Sequence, residues 1–175
     1  MNKENERSPL DPANASPAEV AFRPMRRAEG LMSPGEAEAA LQEENWGVLS
    51  VHGDAGYPYG VPMNYRWDGE CLILHCTSGN SHRLDSIRRD PRVCFTVVPE
   101  HRLDRENRTE IYTSVIVFGM AEIVTDPEEM YLAMASFMRG LSPEKAEEAM
   151  SVCDPRTARM AMLRIRPQSI TGKRH

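Results

Sequence analysis

Apolar positions recur along this chain with two periods, and the changes from one to the other mark out its elements. Ser33-Pro34-Gly35-Glu36 is a capping box with proline at the first helical position. Ala37, Ala40 and Leu41 follow at helical spacing, which predicts a helix over 34–44. Gly47 to Val51 reads as a short buried strand, and His52 to Gly56 as a turn. Tyr57 to Trp67 resumes as a strand, but Pro58 and Pro62 deny it a full ladder, so it should bulge or face an edge. Asp68-Gly69 is a hairpin turn, and Glu70 to Cys76 pairs back. Alternation in that strand puts Cys71, Ile73 and His75 on one face and Leu72, Leu74 and Cys76 on the other.

The second half continues with the same two periods and shows no internal repeat of the first. Thr77-Ser78-Gly79-Asn80-Ser81 breaks the strand, and His82 to Arg89 reads as a helix with Leu84 and Ile87 on one face. Asp90-Pro91 ends that helix. Val93, Phe95 and Val97 alternate with polar neighbours, the mark of a strand. Pro99 to Arg108 reads as a charged loop, and Ile111 to Thr125 as a strand apolar on both faces. Asp126-Pro127-Glu128-Glu129 caps a helix whose stripe is Met130, Met134, Phe137 and Met138, a core stripe rather than a cofactor box. A further helix is expected from Ser142-Pro143 to about Met150, a strand over Ala161–Arg166, and a polar tail over Ile170–His175. The fold class implied is mainly β with peripheral helices (α+β): an antiparallel barrel with Greek-key-like connections. Residues 1–21 lack apolar period and read as a disordered or arm-like lead; 22–175 form one domain.

The chemistry concentrates in the turn after Cys76. Hydroxyl side chains of Thr77 and Ser81 enter a helix N-terminus, where free N–H groups and a partial positive charge favour an anion. His82 and Arg83 lie in its first turn, and Arg83 can grip a phosphate through two parallel hydrogen bonds. The plainer reading makes Ser81 a cap and Arg83 solvated surface. The net charge of −5 is interspersed over the 175 residues, with no basic block that would suit nucleic acid. No apolar run approaches the roughly 18 residues of a membrane span. Four cysteines without a paired framework, and no visible signal segment, point to reduced thiols in a cytoplasm. Cys71, His75 and Cys76 do not converge as a metal site requires, so none is expected.

Three stretches in order carry a family likeness: GYPYGVPMNY, LILHCTSGNSHRLDSIRRDPRVCF and YTSVIVFGMAEIVTDPEE. They resemble the pyridoxamine 5′-phosphate oxidase-like flavoproteins, most of all the nitroimidazole-reductase branch, over roughly Phe22 to Thr171. The resemblance implies an FMN-binding split β-barrel that forms a homodimer with flavin at the interface. It implies that Val61, Pro62, Met63 and Asn64 lie along the flavin ring, and that His75 and Cys76 lie under it at a strand end. It places the phosphate at Ser81, His82 and Arg83, with Ser114 reaching in from the second subunit. It also makes His75 the candidate catalytic side chain. The turn between His75 and Leu84 is longer than is usual in that branch, and His82-Arg83 stands where His-Lys is commoner. The tryptophan and arginine pattern that binds pyridoxal phosphate in true oxidases is absent from Arg164–His175, which argues against vitamin B6 oxidation.

The function expected is an FMN-dependent oxidoreductase that passes electrons from NAD(P)H to a small nitroaromatic acceptor. The other class of reading is a non-catalytic flavin-, deazaflavin- or haem-binding carrier or sensor on the same barrel. No acid–base pair appears in the sequence, and none is required where a cofactor does the redox chemistry.

Overall fold

The computed structural model describes residues 22–26, 28–152 and 159–175. The lead 1–21 and Cys153 lie outside the described residues. Among the described residues six strands form one closed antiparallel barrel: β1 (Trp46–His52), β2 (Pro58–Trp67), β3 (Leu72–Thr77), β4 (Arg92–Asp104), β5 (Thr109–Val124) and β6 (Met160–Arg174). Their order around the barrel is β1-β2-β3-β6-β5-β4. The helices are α1 (Pro34–Glu43), α2 (His82–Arg89), α3 (Pro127–Leu141) and α4 (Ala146–Val152). The expected architecture of an antiparallel barrel with peripheral helices is therefore the one found.

Alternation fills the barrel. Leu49, Leu72, Leu74, Phe95, Val97, Val115, Val117, Leu163 and Ile165 point inward and are fully buried. Tyr65 joins them; its ring meets Phe95 edge-on at 5.1 Å, and its hydroxyl donates to Leu41 O of α1 at 3.0 Å. That bond satisfies the one polar atom the ring carries inside. A second apolar cluster lies outside the barrel, where α3 covers one face of β3. There Cys71 and Ile73 pack against Met134 and Phe137. Ser33 and Asp126 cap α1 and α3 through their side chains, as their sequence signatures require.

The prolines of β2 decide where the barrel opens. Tyr65 N–H donates to Asn45 O at 2.9 Å, so odd-numbered residues of β2 aim their backbone groups at β1. Pro58 and Pro62 fall on the other parity, where the missing N–H faces away from β1. On that side β2 pairs with β3 only through Tyr65, Arg66 and Trp67. From Pro58 to Asn64 the two strands part, while β1 stays in register along the whole stretch. The edge anticipated from the sequence is thus a split in the barrel wall.

Three boundaries differ from the sequence reading. Pro99 to Arg108 is not a loop: β4 runs on to Asp104, and a turn over 105–108 leads into β5. The tail Ile170–His175 is largely strand, because β6 continues to Arg174 along β5. The helix after Ser142 is a short 3₁₀ turn, Pro143–Lys145, followed by α4.

Candidate functional site

Where β2 and β3 part, a cleft of about 490 Å³ opens. Pro62, Met63 and Asn64 form one wall from β2, and His75, Cys76 and Thr77 the other from the end of β3. Arg83 of α2 closes the base. These residues come from separate stretches singled out in the sequence, and the split brings them together. Sequence reasoning missed three further lining residues, Trp46, Arg159 and Met160. Trp46 begins β1 directly opposite Asn64 and stands 52% exposed. Met160 pairs with Thr77, and Ser78 N–H donates to Arg159 O at 3.1 Å. Only the β3–β6 pairing places that arginine here, and no local pattern announces it.

The remaining expected residues lie elsewhere. Val61 packs against the barrel core. Ser81 and His82 line a separate groove with Asn80 and Asp54, which shares no lining residue with the cleft. The His82 ring stacks on Tyr59 at 4.2 Å and its Nε2 lies 3.3 Å from an Asp54 oxygen. Ser114 sits on β5 opposite Lys173 and does not reach the cleft of its own chain.

The electrostatics of the cleft are one-sided. Among the described residues it is lined by two arginines and no carboxylate. Arg83 Nε is buried and has no hydrogen-bond partner. Leaving such a donor unmet costs free energy, so a ligand that accepts from it gains by the difference. Ser81 occupies the N-cap of α2 yet makes no side-chain cap bond, unlike Ser33 and Asp126. The first amides of α2 therefore keep their donor capacity.

His75 lies on the outer face of β3, its ring 4.7 Å from that of Phe137 and tilted by 57°. Burial lowers its pKa, and the Arg83 charge lowers it further, so the ring is neutral near pH 7. Cys76 faces the interior beside Arg83; burial pushes its thiol up, and Arg83 offsets this only in part. A neutral thiol is a poor nucleophile. The described residues of the cleft thus offer anion binding and a neutral imidazole, without a paired acid and base or an activated nucleophile among them. Among the described residues no three His, Cys, Asp or Glu side chains converge on a point that could hold a metal ion. No described helix is long and apolar enough to cross a membrane.

Comparison with solved structures returns the same barrel. A protein of Bacteroides thetaiotaomicron named as a candidate 5-nitroimidazole antibiotic resistance protein superposes with a TM-score of 0.70 at 22% identity, over 82% of this chain and 85% of that one. An FAD-binding protein of Mesorhizobium loti gives 0.60 at 24% identity, over 83% and 96%. A flavocytochrome of Azotobacter vinelandii gives 0.73 at 18% identity, over 86% and 72%. No curated protein matches by sequence. The sequence profile of pyridoxamine 5′-phosphate oxidase matches residues 33–174. That match takes in α1, every strand of the barrel and the cleft between β2 and β3, and the chain belongs to the pyridoxamine 5′-phosphate oxidase family.

Proposed function

We propose that this chain is an FMN-dependent reductase that takes electrons from NADH or NADPH and passes them to a small nitroaromatic acceptor. The observation that carries the reading is Arg83. Its buried Nε lacks a partner at the start of a helix without a side-chain cap, beside a cleft whose described lining residues include no carboxylate. A phosphate monoester meets each of these conditions, because it accepts several hydrogen bonds and carries the opposite charge. A cleft walled by Pro62, Met63 and His75 suits a planar ring attached to that phosphate.

A bound flavin supplies the electron transfer itself. The chain's own residues bind and orient. Arg83 would hold the phosphate, and the unpaired edge of β2 would offer backbone groups to the ring. His75, neutral and steadied by Phe137, can exchange a hydrogen bond at the ring's edge. Trp46 at the cleft mouth presents a stacking face to an aromatic acceptor. The flavin-binding and nitroimidazole-resistance names among proteins of the same fold support this reading.

The test is the visible spectrum of the purified protein with and without added FMN, followed by anaerobic titration with NADH and NADPH. Oxidised-flavin bands that bleach on reduction and return on addition of a nitroaromatic are expected. A Soret band in place of flavin bands would assign haem instead. Flavin that neither nicotinamide reduces would make the protein a carrier.

A further inference from the structure

The separate groove lined by Asp54 and His82 holds a set of side chains that the flavin reading does not use. Asp54 belongs to the short 3₁₀ turn Asp54–Gly56 that joins β1 to β2. One of its carboxylate oxygens lies 3.3 Å from His82 Nε2, and the other lies 2.8 Å from Arg89 Nη1. His82 is the first residue of α2 and Arg89 the last, so one carboxylate spans the helix end to end. The His82 ring is also stacked on Tyr59 of β2, with only 14° between the planes. Arg89 is steadied in turn by Ser86 Oγ at 3.1 Å.

The turn that presents Asp54 is held in an unfavourable backbone conformation. Ala55 has φ 54° and ψ 25°, the left-handed region that a side chain with a Cβ seldom adopts. Gly53 is packed so tightly that a Cβ there would stand 2.7 Å from Tyr57 O. Backbone strain of this kind persists where the surroundings fix it, and it gathers at functional positions.

We propose that Asp54 is a positioning residue for the cofactor's phosphate, a role that rests on the flavin reading of the cleft. By holding His82 outward it fixes the rotation of the first turn of α2. Residues adjacent on a helix project about 100° apart, so His82 directed to Asp54 leaves Arg83 directed to the cleft. Asp54 itself does not line the cleft.

The prediction has a sign that simple charge effects do not share. Removing a carboxylate near an anion site should, by Coulomb's law alone, strengthen anion binding. Asp54→Ala should instead weaken FMN binding by about two- to fivefold, the span expected when an exposed ion pair is removed. Riboflavin, which lacks the phosphate, should bind as before. Both affinities are read from quenching of flavin fluorescence. Amide exchange in the flavin-free protein gives an independent reading: Asp85, whose N–H donates to Ser81 O at 3.0 Å across the first turn of α2, should exchange faster in Asp54→Ala, with the barrel strands unchanged. FMN bound as tightly or more tightly, equal losses for both flavins, or unaltered exchange at Asp85 would each overturn the proposal. A native protein that binds no flavin would overturn the flavin reading instead, and the exchange measurement would still decide whether Asp54 holds the turn.

Discussion

At the scale of single residues, Arg83 and His75 are coupled through space, and one substitution addresses both. Arg83→Ala removes a charge-assisted interaction of roughly 1.5–3 kcal/mol, so FMN affinity should fall about ten- to a hundredfold while riboflavin is hardly affected. Equal losses for the two ligands would take Arg83 out of the phosphate site. The same variant should move the His75 titration, followed by NMR. Burial is the larger cause of its lowered pKa and the Arg83 charge the second, so removing Arg83 raises the midpoint towards the ordinary value of 6.5 without restoring it. The sign for stability follows. The unfolded chain takes up a proton at His75 at higher pH than the folded chain does. Folded stability is therefore lost as pH falls below the ordinary histidine value. Arg83 was legible because strand, small polar turn and helix start are each written locally. The aim of His82 was not, since it is set by Asp54 and Tyr59, residues distant in sequence from the turn.

At the scale of elements, what the sequence disclosed depended on whether a strand had an apolar face. The start of β4 alternates because one side looks into the barrel, and β3 opens on the apolar run Leu72-Ile73-Leu74 because α3 covers its other face. The distal parts of β4 and β5 pair with each other at Arg102 to Ile111 and Leu103 to Glu110, with His101, Arg102 and Leu103 exposed. A ribbon wet on both sides has no hydrophobic period, so its residues read as a loop. The end of β6 escaped notice for a similar reason: Lys173 and Arg174 are polar, though paired to Ser114 and Thr113. The split, by contrast, was written in Pro58 and Pro62, whose chemistry forbids pairing on one side. Close packing between β5 and β6 gives a test of this ladder. The register shifts between Phe118 and Gly119, and a Cβ on Gly119 would stand 2.5 Å from the backbone oxygen of Arg166. Backbone cannot swing aside as a side chain can. Gly119→Ala should lower stability by about 1–3 kcal/mol, seen as a lower urea midpoint at unchanged slope. Gly35→Ala is the control: nothing lies within 4 Å of its added Cβ, and alanine favours the helix. A midpoint for Gly119→Ala equal to that of the native chain would show that the bulge yields.

At the scale of the whole molecule, the outer face of β1, β4 and β5 is more apolar than water favours. Register aligns Val48 with Thr96 and Thr96 with Ile116, and the next row sets Cys94 beside Phe118. Their strand neighbours Leu49, Phe95 and Val117 are fully buried inside, so this row faces out. Trp46 is 52% exposed at one margin of that face, and Phe118, 40% exposed, stacks on Phe22 at 5.4 Å. An apolar sheet face of this kind is usually covered by a partner, and a second copy related by a two-fold axis is the simplest one. Ser114 lies on the same outward parity of β5 as Ile116 and Phe118 and does not reach the cleft of its own chain. A dimer through this face would let it approach the partner's cleft. Light scattering at micromolar concentration should therefore report a dimer. Phe118→Asp should shift it towards monomer and weaken FMN binding in the same samples, because the site would lose the wall supplied by the second copy. A native chain that is monomeric and still holds FMN would exclude this assembly. A Phe118→Asp monomer with native FMN affinity would leave the cleft between β2 and β3 complete within one chain.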